Sequence, residues 1–293
     1  MVAISIAVDS SAIVTKREYY LWYKGIYIRY VKNINEKTGL QNIAFSDSVI
    51  AFCGDRNDVD STYRLTCEFL RAWAYQNELN INLSTSMIIS NVFAPKQLRD
   101  ACGTFVEPRR CNLYRSFVEN GEFLYIPNID TDEKSEVLRL YTDAKSNFNI
   151  YFRILFLWHT LAYPDNTEQK AIRFVDSYVE KLEQIEGRKS GYYIKQFITG
   201  PFGYNEHKKK SKNKCLTVGE YTKEYVRNAI AHIVRYTGFE SILLDNLEQK
   251  RFLEYVAWIL DGAAKDMLDN DYKFTSYATI NTFRIINPEI EFN

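Results

Sequence analysis

Histidine is scarce in this sequence, with three among 293 residues, so any proton-transfer chemistry at neutral pH has very few candidate carriers. Cysteine is also sparse. The five (Cys53, Cys67, Cys102, Cys111, Cys215) are odd in number and scattered, no C-x-x-C pair occurs, and no histidine pair accompanies them. That pattern excludes a zinc framework and a disulfide scaffold, and points to a reducing cytoplasm. Charge of one sign is absent as well: 37 basic side chains balance 37 acidic ones, so no global field attracts nucleic acid, and any such contact needs a local patch. There is no glycine-rich phosphate loop, no nucleophile elbow and no metal-ligand cluster, which leaves a small-molecule enzyme in the N-terminal part without a visible site. Neither metal nor cofactor is expected. Long hydrophobic runs are missing too. The opening MVAISIAVDSS is too short for a signal-peptide core and lacks a basic start, and the most apolar stretch, 151–163, is interrupted by Arg153 and His159. A soluble, intracellular chain without a membrane span is expected.

What is present is core-forming material. Hydrophobic residues make up 46% and aromatics 15%, enough for a sizeable interior and far from a disordered composition. The length suits two domains or one large one.

The first 55 or so residues read as strands. Val2 to Val8 is one; Tyr19 to Tyr23 and Ile26 to Val31 flank a tight Lys24-Gly25 turn; Asn35 to Gly39 is a second turn; further strand lies within Ile43 to Cys53. A helix follows over 59–76, with Leu65, Phe69, Leu70 and Trp73 at helical spacing. Residues 80–130 are mixed, broken by Pro95, Pro108 and Pro127, and Arg109 and Arg110 there read as surface charges. From Thr131 the character becomes helical. Phe148 to Tyr163 is apolar nearly all round, predicting a central buried helix with His159 as a core or rim residue. Thr167 to Glu183 and Leu247 to Leu268 give further amphipathic helices, and Thr275 to Phe292 is a β-prone tail that could return to the N-terminal sheet. The expected fold class is α+β: a mixed, β-rich domain over 1–130, then an all-α bundle with its tail over 131–293.

The most informative segment is Glu224 to Tyr236, EYVRNAIAHIVRY. Thr217-Val218-Gly219-Glu220 has the form of a capping box, Glu220 and Glu224 suit a helix N-terminus, Arg235 suits the last turns, and Gly238 is a stop. At about 100° per residue, Val226, Ala229, Ile230, Ile233 and Val234 gather on one side, while Arg227, Asn228, His232 and Arg235 spread over roughly 140° of the other. Ala231, in the middle of the polar face, lets another helix approach closely. Arginine stays charged and forks onto phosphate oxygens, and histidine titrates near operating pH. On an ideal helix Arg227 and His232 lie about 140° apart, so one copy does not converge them on one atom, whereas two copies about a two-fold axis would.

This segment resembles the R-x4-6-H motif of the HEPN superfamily of helical ribonucleases, in the form with a polar residue after the arginine. The resemblance covers about 132–270. It implies metal-independent RNA cleavage, in which the substrate's 2′-OH attacks the adjacent phosphate to leave a 2′,3′-cyclic phosphate and a 5′-OH. It further implies His232 as general acid/base, Arg227 as phosphate clamp, Asn228 as positioning group, and a homodimer through the motif helix. Toxin, stress or anti-phage roles, with an antitoxin or regulatory partner, are what the superfamily commonly implies. A related form is adenylylated on a tyrosine two residues after the histidine; here that position is Val234, and the next tyrosine is Tyr236. FLRAWAY at 69–75, YFRIL at 151–155 and RNAIAH together are similar to the bacterial MauJ-like group of methylamine-utilisation neighbourhoods, although no quinone, copper or haem ligand set accompanies them.

Upstream lies HKKKSKNK, read as a solvated loop that places Lys208, Lys209, Lys210, Lys212 and Lys214 near the motif. With Arg235 these form the candidate RNA-backbone contacts, which would weaken steeply with salt. The rival to the nuclease is a catalytically silent dimer of the same type, serving as a binding or scaffold module.

Overall fold

A computed structural model describes residues 2–10, 12–13, 18–31, 36–38, 41–43, 47–53, 58–91, 116–117, 125–165, 167–187, 204–231, 247–275 and 277–279. The chain divides into two compact units, Met1–Ile129 with Ser276–Asn293, and Asp130–Thr275. The fold is α+β.

In the first unit the strands are β1 (Val2–Ser10), β2 (Ala12–Ile13), β3 (Glu18–Tyr23), β4 (Ile26–Val31), β5 (Glu36–Thr38), β6 (Gln41–Ile43), β7 (Asp47–Cys53), β8 (Ile81–Asn91), β9 (Ser116–Phe117), β10 (Tyr125–Pro127) and β11 (Tyr277–Thr279). Five of them form an antiparallel sheet in the order β3-β4-β7-β1-β8. β1 is buried from Val2 to Val8, as a central strand covered on both faces must be. Tyr27 and Tyr30 of β4 point to opposite faces by strand alternation. Tyr27 packs with Ala3, Ile50 and Phe52, while Tyr30 meets Trp73 of α1 (Val59–Gln76) edge-on at 5.7 Å.

The β3–β4 hairpin turns on Lys24 and Gly25, both at positive φ (45° and 83°), the left-handed pair that a two-residue hairpin needs. A lysine at that angle is strained, and its side chain is anchored: Nζ sits 2.6 Å from Glu68 Oε1 and also donates to the Ile129 carbonyl. Glu68 accepts from the Tyr23 hydroxyl as well, at 2.5 Å. The expected turn at 35–39 differs from the structure, because 36–38 is strand β5, paired with β6. Of the β-prone tail, Tyr277–Thr279 belongs to this unit. It pairs as β11 with β10 rather than with the large sheet.

The second unit is helical: α2 (Asp132–Ser146), α3 (Ile150–Ala162), α4 (Glu168–Gly187), α5 (Tyr204–Asn213), α6 (Val218–Tyr221), a π-helical turn (Thr222–Arg227), α7 (Asn228–Ala231) and α8 (Leu247–Asn270). Thr131 caps α2 by accepting from the Lys134 amide, and Asn149 caps α3 by accepting from the Tyr151 amide. α3 packs against α2, α4 and α8. It is not buried all round, however: Phe152 is 54% exposed, and His159, expected as a core or rim residue, is on the surface. An apolar run of this length fixes the helix but not which faces find partners. Arg109, Arg110, Cys102 and Cys111 lie outside the described residues. Among the described residues no helix is long and apolar enough to cross a membrane.

Candidate functional site

The motif segment begins as its sequence requires. Thr217 Oγ1 accepts from the Glu220 amide at 3.1 Å, and Glu220 Oε2 accepts from the Thr217 amide at 2.9 Å, closing the capping box. The adjacent Gly219 amide donates to Asp176 Oδ1 of α4 at 2.8 Å. Burial raises the Asp176 carboxyl pKa, opposed by hydrogen bonds from Gly219 and Thr217. Gly219 is required for a second reason: a Cβ there would lie 2.6 Å from the Ile172 carbonyl oxygen and 3.0 Å from its Cα. The two backbones touch directly. Gly219→Ala should therefore cost about 2 kcal/mol in urea unfolding, although alanine favours an unobstructed helix; a stabilised variant would contradict the close approach.

Beyond Tyr221 the helix changes type. Over Thr222–Arg227 the hydrogen bonds widen to the i→i+5 pattern, ending with the Asn228 amide on the Lys223 carbonyl. The Val218 carbonyl accepts from both the Thr222 amide and the Thr222 hydroxyl (2.8 Å), the kind of side-chain competition that distorts an α ladder. The uniform 100° step assumed from sequence therefore does not hold through this stretch. Val226 is buried but Ala229 and Ile230 are half-buried, so the apolar face is only partly covered, and Ala231 of the polar face is exposed. Ile233, Val234, His232 and Arg235 lie outside the described residues.

Arg227 and Asn228 come together: Arg227 Nη1 donates to Asn228 Oδ1 at 2.8 Å. The other terminal nitrogen, Nη2, lies 3.2 Å from Glu168 Oε1 in the first turn of α4. Glu168 Oε2 in turn accepts from Trp158 Nε1 of α3 at 3.1 Å. Arg227 Nε is buried without a hydrogen-bond partner. Two anchors on a group with five N–H donors leave donors for an anion. Glu168 and Trp158 were not legible from sequence as site residues, because nothing local links a carboxylate at 168 to an arginine at 227.

The lysine stretch is a helix, α5, and not the expected loop. Its inner face is what folds it: His207 and Ser211, one turn apart, are both buried. Lys209, Lys212 and Lys214 are exposed and Lys208 pairs with Glu183. Lys210 lies 4.9 Å from the Phe252 ring centre and Lys214 5.1 Å from that of Tyr225 in the π turn. Three of the five lysines are thus held by partners on neighbouring elements.

His207 itself is fully enclosed. Tyr221, Phe252 and Tyr255 surround its ring at 5.4 to 6.0 Å, and Nε2 lies 3.0 Å from Thr222 Oγ1. Since the Thr222 hydroxyl donates to Val218, the network assigns the proton to Nε2 and leaves Nδ1 bare. Burial, with Lys210 nearby, pushes its pKa from 6.5 down to about 3. Among the described residues no group of three or more His, Cys, Asp or Glu side chains is placed to hold a metal ion.

No protein-family model, no curated protein and no solved structure matches the chain.

Proposed function

We propose that this chain is a metal-independent endoribonuclease of HEPN type that works as a homodimer. The observation that supports it best is the Arg227–Asn228 pair on a capped helix, hydrogen-bonded to each other and five positions before His232 in the sequence. The guanidinium neutralises the phosphodiester. His232 moves the protons: one leaves the attacking 2′-OH, one is delivered to the departing O5′, and the P–O5′ bond breaks as the cyclic phosphate closes. The exposed Ala231, in the middle of the polar face, is where a second motif helix would lie. Exposed Lys209 and Lys212 would follow the RNA backbone.

A second reading has its own support. The Arg227–Glu168 ion pair ties the π turn to α4, a structural use of the arginine that fits a silent binding or scaffold module.

Incubation of purified protein with single-stranded RNA in excess EDTA separates the two. The expected result is cleavage with 2′,3′-cyclic phosphate and 5′-OH ends. Absence of cleavage, or cleavage only with added magnesium, would refute the nuclease.

A further inference from the structure

Glu168 sits where a negatively charged ligand of Arg227 would sit. One oxygen contacts Nη2 at 3.2 Å and the other is steered by the Trp158 indole N–H at 3.1 Å, so the carboxylate is oriented from two sides. A carboxylate and a phosphodiester both accept from a guanidinium edge, and two anions on one cation repel. One N–H of the neighbouring Nη1 is taken by Asn228 and Nε is buried, so the free donors an incoming phosphate can reach lie on the two terminal nitrogens, beside Glu168. Both side chains remain partly accessible, Arg227 at 21% and Glu168 at 35%, which leaves room for exchange.

We propose that Glu168 is the positioning residue of the Arg227 clamp: it holds the guanidinium in a neutral pair when no RNA is bound, and RNA phosphate competes with it for Nη2. The inference rests on the assignment of Arg227 as a phosphate ligand. It makes Glu168 the residue that sets the affinity threshold for the nucleic acid.

The test measures binding of a fluorescent 2′-O-methyl single-stranded oligonucleotide, whose blocked nucleophile prevents cleavage, by anisotropy across a salt series. Glu168→Gln keeps the shape and an acceptor for Trp158 while removing the charge. It should tighten binding about tenfold and steepen the salt dependence by roughly 0.7 in log–log slope, the value for one additional phosphate neutralised on a single strand. Glu168→Asp should keep the wild-type slope, and the Glu168→Gln gain should vanish in an Arg227→Ala background. Position 168 is half-exposed, so neither change removes core packing. Equal affinity and slope for wild type and Glu168→Gln would overturn the proposal while leaving the nuclease assignment standing. Binding by neither protein would overturn both. Binding by the glutamine variant alone would establish the competition.

Discussion

Mixing an Arg227→Ala chain with a His232→Ala chain is expected to restore RNA cleavage that neither performs alone. Each single substitution should lower the rate by about 10²–10⁴, the range for loss of a positioned proton-transfer or charge-stabilising group. If each site takes its arginine from one protomer and its histidine from the other, a mixed dimer keeps one complete site out of two. Random exchange at equal concentrations then recovers about a quarter of wild-type activity, half of the dimers being mixed and each half-active. Continuous cleavage of a quenched RNA after subunit exchange reads this directly. No recovery, with exchange verified by mass, would place both groups in one chain and contradict the composite site.

The second large effect concerns stability. His207 binds a proton at pH 6.5 in the unfolded chain but only near 3 in the fold. Between those values the unfolded state carries the extra proton, so stability is complete above 6.5 and declines as pH falls towards 3. At pH 4.5 the loss is about 3 kcal/mol, from two units at about 1.4 kcal/mol each. A substitution that removes titration, His207→Leu, should unfold more easily than wild type at pH 7 yet lose much less on acidification. The aromatic surround would accept leucine, and Thr222 would keep its bond to the Val218 carbonyl. Urea titrations followed by circular dichroism at both pH values measure the difference. Parallel acid sensitivity in the two proteins would move the cause elsewhere.

The parts that could be read in advance are those whose information is local. Thr217 closes the capping box its sequence announces, the helical character that sets in at Thr131 begins α2 at Asp132, and Lys24-Gly25 makes the turn its flanking strands need. The spacing of Phe69, Leu70 and Trp73 fixed α1, and all three are fully buried. What escaped depends on distant partners. β8 contains serines, a threonine and asparagines, and its strand identity comes from pairing with β1. α5 looked like solvated loop because lysines dominate it, and only the environment supplied by Tyr221, Phe252 and Tyr255 reveals His207 as its anchor. The candidate site was half legible. The Arg–Asn pair and its cap could be read, whereas the carboxylate that meets the arginine lies 59 residues earlier in the chain, and the π turn has no simple local signature.

That π turn lies between two short α-wound pieces, Val218–Tyr221 and Asn228–Ala231. The capped end is clamped to α4 at Gly219, whereas the direction in which Arg227 leaves the axis depends on the wider winding that follows. A wide turn of this kind corresponds to one residue inserted into a regular helix, so losing a single residue between 222 and 227 would let the segment revert to α winding while the anchor and Asn228–Ala231 keep nearly their present faces. The wide turn thus absorbs a one-residue change in chain length that a regular helix would pass on as a rotation of every side chain after it.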